Sequence, residues 1–351
     1  MKRYLAALLL TIFALSLTAC GEKSAESETR TVYAMDTVMN LTVYGENAAA
    51  ALESAEKELH TLDEKILSRT AEGSELYALN ASDGETVTYG ADDALPALIE
   101  TALAISDATN GAFDPTLAPV LDAWGFTKDE RRVPSADELA ELLSHTGCGK
   151  VRLERTADGW AVMLLDGAQL DLGGIAKGYA ADVLRAQLEK EGVMSAALDL
   201  GGDVFVMGKK PDGSGWRIAV KDPADTERFL GILTASDKFI VTSGVYERYF
   251  EENGVHYHHI IDPKTGSPAE SGLVSVTVLC ENGAWADALS TACFVLGPDG
   301  ALALRDDLAD RGMGLELIFV TGDGRVLYTP GLSDAFTPND ESGYTYEAII
   351  A

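Results

Sequence analysis

Basic residues, cysteine and histidine are all scarce in this sequence of 351 residues. It contains 27 Lys and Arg against 56 Asp and Glu, which gives a formal net charge of −29. Such an anionic surface repels phosphate backbones and argues against non-specific binding to nucleic acid. Only four cysteines occur and none forms a Cys-x-x-Cys pair, so neither a zinc site nor a disulfide framework is indicated. We expect Cys148, Cys280 and Cys293 to be buried apolar residues, with a disulfide of Cys148 left open.

Apolar residues, in contrast, are present in normal proportion. They make up 46% of the chain, and charged residues make up 24%. These values are close to globular averages and exclude global disorder. The length allows two domains or one large one.

The first twenty residues have the pattern of an export signal. A basic start at Met1–Arg3 precedes an apolar run to Ala19, which is too short for a comfortable membrane span. Residues 17–20, Leu-Thr-Ala-Cys, resemble a bacterial lipobox, which predicts removal of residues 1–19 and a lipid on Cys20. The alternative is an ordinary cleaved signal with an incidental cysteine. The polar residues 20–30 are predicted to form a flexible tether, and residues 31–351 the folded domain, with a soft boundary near Pro134.

Hydrophobic spacing predicts helices mixed with many short strands. Helical periodicity is found over 46–67, 92–109, 135–144, 174–190, 284–296 and 298–311. Strand patterns occur at 37–44, 150–155, 160–165, 194–199, 203–208, 216–221, 238–243, 256–261, 273–280, 315–321 and 325–328. Because the order is not a regular βαβ alternation, we predict an α+β fold with mixed or antiparallel sheets and packed helices.

The first chemically suggestive segment is Gly-Ala-Phe-Asp-Pro-Thr at 111–116. Asp114 precedes Pro115 and Thr116, and this order suits the cap of a helix. Taken alone, the segment favours a capping role for Asp114 over a role in binding.

A second segment joins paired glycines to the start of a helix. It runs from Asp171 through Gly173 and Gly174 to Lys177 and Asp182. Amides at a helix start together with one cation suit a phosphate group. The segment is neither a Walker A loop nor a Gly-x-Gly-x-x-Gly motif, so a tight strand–helix turn is an equal alternative. A similar turn at 199–203 is expected to bring two backbones close together.

Three of the five histidines fall at 256, 258 and 259. On a strand His256 and His258 share one face and His259 points to the other. A two-histidine metal site would need a third ligand from elsewhere. We therefore expect one functional histidine.

The fourth segment, Trp-Ala-Asp-Ala-Leu-Ser-Thr-Ala at 285–292, places Asp287 and Thr291 four residues apart on a helix. Their side chains then lie on one face and could give two oxygen ligands to a divalent cation. The alternative is that the Thr291 hydroxyl bonds back to the Asp287 carbonyl.

Taken together, these segments resemble the ApbE family of FAD:protein FMN transferases. The resemblance covers about residues 33–330 in family order, and it includes Met35-Asp36-Thr37 and a Ser-x-Leu-x-x-Leu-Asn-like segment at 74–80. It implies the family's α+β, T-fold-like architecture. The lipoprotein-like signal agrees with the location that this resemblance implies, outside the cytoplasmic membrane and anchored to the bacterial cell membrane.

The resemblance implies a role for each matching residue. Met35 and Tyr77 would contact the flavin, residues Ala112, Phe113 and Asp114 would line the cofactor cleft, and Asp171 and Lys177 would hold the ribityl or adenine-phosphate part. Mg²⁺ would be bound by the backbone oxygen of Gly174 and the side chains of Asp287 and Thr291, and His259 would lie at the reacting centre. Position 77 varies in the family. The residues expected to carry catalysis are His259 and Asp287.

The implied reaction is a phosphoryl transfer from FAD. A Thr or Ser hydroxyl of an acceptor protein would attack the phosphorus nearer riboflavin, with release of AMP, and His259 would be the base because imidazole titrates near neutral pH. The implied acceptors are subunits of sodium-pumping NADH:quinone oxidoreductase or Rnf-type complexes. The alternatives are a Mg²⁺-dependent FAD pyrophosphatase and a lipoprotein that binds FAD without chemistry.

Overall fold

The computed structural model describes residues 27–128 and 130–349. Within these residues, nine strands form one sheet in the order β1-β2-β6-β7-β10-β13-β14-β15-β17, antiparallel throughout except for the parallel pair β15–β17. Two three-stranded sheets, β16-β9-β8 and β3-β5-β4, and the hairpin β11–β12 complete the strands. The bounds are β1 Ser27–Ala34, β2 Thr37–Tyr44, β3 Val87–Gly90, β4 Val151–Arg155, β5 Gly159–Leu164, β6 Ala196–Asp199, β7 Val204–Met207, β8 Trp216–Asp222, β9 Asp225–Ala235, β10 Lys238–Gly244, β11 Tyr249–Glu252, β12 Val255–His258, β13 Leu273–Cys280, β14 Glu316–Thr321, β15 Arg325–Tyr328, β16 Phe336–Pro338 and β17 Thr345–Ala348.

Five of the seven α-helices in the described residues match segments with helical periodicity, whereas the two short helices Glu75–Asn80 and Ala118–Trp124 were not predicted. The seven helices are α1 Ala48–Thr61, α2 Glu75–Asn80, α3 Ala94–Ala108, α4 Ala118–Trp124, α5 Ala136–Leu143, α6 Ala176–Lys190 and α7 Gly283–Asp310. A π-helical segment, Leu62–Leu67, continues α1. At the start of α5 the Ser135 hydroxyl accepts a hydrogen bond from the Glu138 amide, as the capping pattern predicts. The two helices predicted over 284–311 are the halves of α7, which is kinked at Gly297 before Pro298.

The large sheet has a hydrophobic core on each face. Along β10, Phe239 and Val241 belong to the larger core, with the helices, whereas Ile240 between them belongs to a smaller core with β8 and β9. The same alternation occurs on β14, where Phe319 and Ile318 lie in different cores. This is the side-chain period of two that a strand buried on both faces must show.

Two expectations about the organisation of the chain need correction. Strand β1 begins at Ser27 and pairs with β2 along its whole length, so residues 27–30 are not part of a flexible tether. No boundary occurs near Pro134 in the described residues, because β3 before it pairs with β5 after it and the larger core contains residues from both sides. The signal segment, Cys20 and the start of the tether lie outside the described residues.

The described residues contain no helix long and apolar enough to cross a membrane. Among them Cys148, Cys280 and Cys293 are all unpaired thiols. Cys280 and Cys293 are buried, as expected, whereas Cys148 is half-buried and lies beside Asp114.

Candidate active site

A cavity of about 930 Å³ collects most of the residues singled out from the sequence. Its size is in the range of small-molecule sites in proteins. The predicted site residues that line it are Met35, Ala112, Phe113, Asp114, Asp171, Gly174, Lys177, His259, Asp287 and Thr291.

Tyr77 is the exception, because it is not among the residues that line the cavity. It lies half-buried on α2, whose apolar face packs Leu76 and Leu79 into the core. The end of this short helix is fixed by Asn80, whose side chain hydrogen-bonds both the carbonyl and the amide of Leu170. The structure thus gives the 74–80 segment a packing role, and the expected flavin contact of Tyr77 is not supported.

Met35 reaches the cavity from the tight turn between β1 and β2. Met35 and Asp36 have φ values of 50° and 58°, and the flanking residues Ala34 and Thr37 are paired. This left-handed backbone is the one a two-residue hairpin needs, although glycine or asparagine adopts it more readily. The Met35 amide donates a hydrogen bond to Asp63 Oδ2 at 2.8 Å, which holds the turn in place.

A contact between two glycines sets the position of Asp287. Gly178 on α6 and Gly283 on α7 face each other, and a Cβ atom on either one would overlap the carbonyl oxygen of the other. The helices can therefore approach closely enough for the Gly178 amide to donate to Asp287 Oδ2 at 3.0 Å. Gly178, which the sequence analysis did not single out, thus positions a predicted metal ligand.

Gly174 and Thr291 are neighbours, although 117 residues separate them in sequence. A Cβ on Gly174 would lie 3.7 Å from Thr291 Oγ1 and 3.4 Å from the ring of Phe113. The back-bond to the Asp287 carbonyl that the sequence allowed for Thr291 is made by Ser290 instead, at 2.7 Å. Thr291 itself lines the cavity, with Gly174 beside its hydroxyl.

Lys177, Asp203 and Asp287 form a buried charged cluster in the cavity wall. Lys177 Nζ donates to Asp203 Oδ1 at 3.1 Å. Burial lowers the pKa of Lys177, but Asp203, Asp287 and Glu247 outweigh it, so the net pKa is raised and the ammonium stays charged. Burial and the neighbouring Asp203 carboxylate raise the pKa of Asp287 to about 8. The single positive charge of Lys177 is therefore not enough to keep both the Asp203 and the Asp287 carboxyl groups ionised.

The donors in this wall fit a hard divalent cation. No group of three or more His, Cys, Asp or Glu side chains in the described ranges could hold a metal ion, so a cation here would rely partly on hydroxyl and backbone oxygens. Asp203 Oδ2 is buried without a hydrogen-bond partner, which is costly unless a positive partner is bound. An all-oxygen donor set from Asp287, Thr291, Gly174 and Asp203 suits Mg²⁺ better than zinc.

The glycine-rich turn has fewer free amides than the sequence suggested. Gly173 donates to Asp171 Oδ1, and Ile175 and Ala176 both donate to the Leu172 carbonyl. Since the Gly178 amide is used by Asp287, four of the expected phosphate donors are already bonded. The positive charge of Lys177 and of a bound cation would therefore matter more to a phosphate than the backbone amides do.

Arg69 joins Asp171 to helix α4. Its Nε lies 2.7 Å from Asp171 Oδ2 and its Nη2 lies 2.7 Å from Asp122 Oδ1. Burial lowers the pKa of Arg69, but the two carboxylates outweigh it and raise the net pKa. Asp171 is therefore held between a guanidinium group and the Gly173 amide, at the edge of the cavity.

His259 lines the cavity, and one of its two ring nitrogens has a defined partner. Its Nδ1 lies 3.2 Å from the Arg248 carbonyl oxygen, which can only accept, so Nδ1 carries the proton and Nε2 has a free lone pair. Part of the ring surface is open, but protein surrounds the rest, and burial together with the Arg248 and His258 charges lowers the pKa of His259 to about 3. Contrary to the expectation that His259 titrates near neutral pH, its lowered pKa keeps the imidazole neutral there.

The other two histidines have structural surroundings. His256 Nε2 contacts the Val245 carbonyl oxygen at 3.0 Å, and its ring stacks on Tyr249. His258 is buried against Phe294, with ring centroids 5.5 Å apart. One functional histidine in the cavity agrees with the sequence analysis.

Arg69, Asp203 and Glu247 line the cavity but were not identified as site residues from the sequence. Burial raises the pKa of Glu247 to about 7, although Lys177 opposes the shift. The glycine pair before Asp203 was a signal, but it was interpreted only as a close backbone contact. Arg69 and Glu247 carry no local signal, since the fold alone brings them to the cavity.

Asp114 does not cap α4. Its carboxylate accepts hydrogen bonds from the amide and hydroxyl of Thr116, at 2.8 and 2.6 Å.

Comparison with known proteins identifies relatives over most of the chain. The ApbE family model matches residues 35–315. A FAD:protein FMN transferase from Treponema pallidum is 36% identical over 333 residues, which is 90% of this chain and 91% of the relative. The crystal structure of an ApbE protein from Thermotoga maritima has a TM-score of 0.77 at 34% identity and covers 90% of this chain and 97% of its own. The apo flavinyl transferase ApbE from Pseudomonas stutzeri has a TM-score of 0.75 at 31% identity, with coverage of 90% and 98%. Because the ApbE family model matches well over half of this chain, the chain belongs to the ApbE family.

Proposed function

We propose that this protein transfers FMN from FAD to a Thr or Ser hydroxyl of an acceptor protein and releases AMP. The relatives named above are FAD:protein FMN transferases or flavinyl transferases. The observation that supports the chemistry here is that neutral His259 and the Lys177–Asp203–Asp287 cluster line one cavity. Attack on a pyrophosphate requires a proton acceptor and positive charge beside the phosphate, which His259 and Lys177 together with a bound cation would supply.

In this proposal the acceptor hydroxyl oxygen bonds to the phosphorus nearer riboflavin. The bond between that phosphorus and the bridging oxygen breaks, and AMP leaves with the bridging oxygen. The hydroxyl proton moves to Nε2 of His259, while the Arg248 carbonyl keeps Nδ1 protonated and the ring oriented. The negative charge that builds up near His259 stabilises the imidazolium, which offsets the burial that lowers its pKa in the free protein.

Charge compensation is the second task of the site. Lys177 supplies a fixed positive charge within the cluster, and Asp171 borders the same cavity. A Mg²⁺ ion held by Asp287, Thr291 and the backbone oxygen of Gly174, with Asp203 beside it, would neutralise charge on the transferred phosphoryl group. In a chain with a net charge of −29, such local compensation is needed for a pyrophosphate to bind.

Mass spectrometry of an acceptor tests the proposal directly. The protein is incubated with FAD, Mg²⁺ and the soluble domain of an Rnf-type or sodium-pumping NADH:quinone oxidoreductase subunit, with a chelator in the control. We expect one FMN on a Thr or Ser of the acceptor, release of AMP and no modification with the chelator. Free FMN without labelled acceptor would indicate a pyrophosphatase instead, and tight FAD binding without AMP would indicate a binding protein.

The proposal includes attachment to a bacterial membrane on its outer side. It is supported by the lipobox-like residues 17–20, with Cys20 as the lipid acceptor. A Cys20→Ser variant expressed with its own leader should leave the membrane fraction. Retention of that variant in the membrane would contradict lipid attachment at this residue.

A further inference from the structure

Strand β8 lines the cavity with its edge. It is the outer strand of the sheet β16-β9-β8, and among the described residues it pairs only with β9. Four consecutive residues of β8, 218–221, line the cavity. The face of a sheet would present only alternate residues, so the cavity meets the open edge of this strand.

The pairing register shows which backbone groups are free at this edge. On β9, the Thr234 amide donates to the Ala335 carbonyl at 2.8 Å and the Leu230 carbonyl accepts from the Asn339 amide at 2.7 Å, both away from β8. Because backbone polar groups alternate in direction along a strand, Leu233 and Gly231 point towards β8.

The partners of Leu233 and Gly231 on β8 are Ile218 and Val220. Ala219, between them, therefore directs its N–H and C=O away from β9 and towards the open edge. This is the arrangement of an exposed template for one more strand.

The side chains around this edge are positively charged in an otherwise acidic protein. Arg217, Ala219 and Lys221 share the exposed face of β8, whereas Ile218 and Val220 pack in or against the smaller core. Within the described part of the chain, neither Arg217 nor Lys221 forms an ion pair. Two unpaired cations beside an open edge favour an acidic, extended partner.

We propose that the acceptor protein binds by adding an extended, acidic segment as a fourth strand along β8. Backbone hydrogen bonds to Ala219 would align the segment, and Arg217 and Lys221 would attract its carboxylates. The segment would then run along the cavity wall, which delivers its hydroxyl residue to the site that holds FAD. This inference rests on the proposed transferase function and adds to it how the protein substrate is recognised.

The test compares two variants at one position. Ala219→Pro removes the outward N–H, and because the sheet does not use that group, an edge strand tolerates proline there. Ala219→Ser keeps the N–H and serves as the matched control. Both are assayed for FAD affinity, for FMN release without acceptor, and for the KM of the soluble Rnf-type acceptor domain.

We expect Ala219→Pro to raise the acceptor KM by about tenfold, from the loss of a backbone hydrogen bond and the clash of the ring. FAD affinity should change much less than the acceptor KM, because the outward N–H of Ala219 is assigned to the acceptor, and the serine variant should resemble the parent protein. An unchanged acceptor KM, or a loss of FAD affinity of the same size, would overturn the inference. Failure of the unaltered protein to modify the acceptor would instead refute the proposed function.

Hydrogen exchange on the unaltered protein decides the question if Ala219→Pro does not fold. Adding the acceptor domain in the presence of FAD should slow exchange of the amides in 216–222. Protection of the β11–β12 hairpin alone, with no change in 216–222, would also overturn the inference.

Discussion

At the scale of single residues, His259 differs from the other two histidines in lining the cavity. We expect His259→Ala to bind FAD normally and to transfer FMN about 10²–10⁴ times more slowly, because a general base is lost. Rates are measured with saturating FAD and acceptor. His256→Ala is the matched control, since His256 lies on the exposed hairpin. Normal transfer by His259→Ala would remove this residue from the mechanism.

Arg69 shows how a residue with no motif can determine the position of one that has a motif. Replacement by Met keeps an unbranched apolar side chain but removes the guanidinium group and with it the ion pairs to Asp171 and Asp122. We expect the free energy of unfolding to fall by about 2 kcal/mol, because two partly buried carboxylates lose their partner. Urea denaturation measures the change. Arg69→Lys, which keeps the charge without the planar fork, should lose less, and a loss equal to that of Arg69→Met would show that the charge alone contributes nothing here.

The sequence predicted the residues at the cavity better than their partners. Asp171, Lys177, His259, Asp287 and Thr291 were all singled out from local patterns, and all line one cavity. Asp203 was not, because its role depends on contacts with Lys177 and Asp287 that sequence spacing does not reveal. The neutral state of His259 was also missed, since a pKa depends on burial and nearby charges.

At the scale of elements, the crossing of α6 and α7 depends on two residues without side chains. A methyl group at Gly178 would overlap Gly283 and press on Asp287. We expect Gly178→Ala to reduce the free energy of unfolding by about 1–3 kcal/mol and to weaken FAD turnover, because the helices must move apart. Gly314→Ala, where a Cβ meets nothing within 4 Å, should change stability by less than about 0.5 kcal/mol. Equal stability of the two variants in thermal or urea denaturation would contradict this account.

Elements with strong local signals were predicted within a few residues, and those set by pairing were not. The helix at 135–144 has a cap and a periodic face, and it appears as α5. The first four residues of strand β1, 27–30, were assigned to a tether because they are polar; pairing with β2 makes them part of a strand. Strand β9, 11 residues long, was likewise missed because its first half is exposed.

At the scale of the whole molecule, the pH dependence of stability should carry a contribution from buried His258. Burial lowers its pKa to about 4, so below pH 6.5 the unfolded chain binds a proton there that the folded chain does not. Stability from this residue is therefore complete above pH 6.5 and is lost as pH falls towards 4. Relative to His258→Gln, the parent protein should lose up to about 3 kcal/mol over this range. A pH-independent difference between the two, measured by urea denaturation, would contradict the prediction.

The cavity is assembled from stretches of chain that are far apart, from the turn at Met35 to the helix turn at Thr291. No fragment that ends before α7 contains the Asp287 and Thr291 oxygens, and none that begins after β2 contains Met35. During synthesis, the pocket can therefore come into existence only after nearly the entire polypeptide has emerged. A chain truncated before α7 lacks the Asp287 and Thr291 oxygens, so we expect it to hold the dinucleotide poorly.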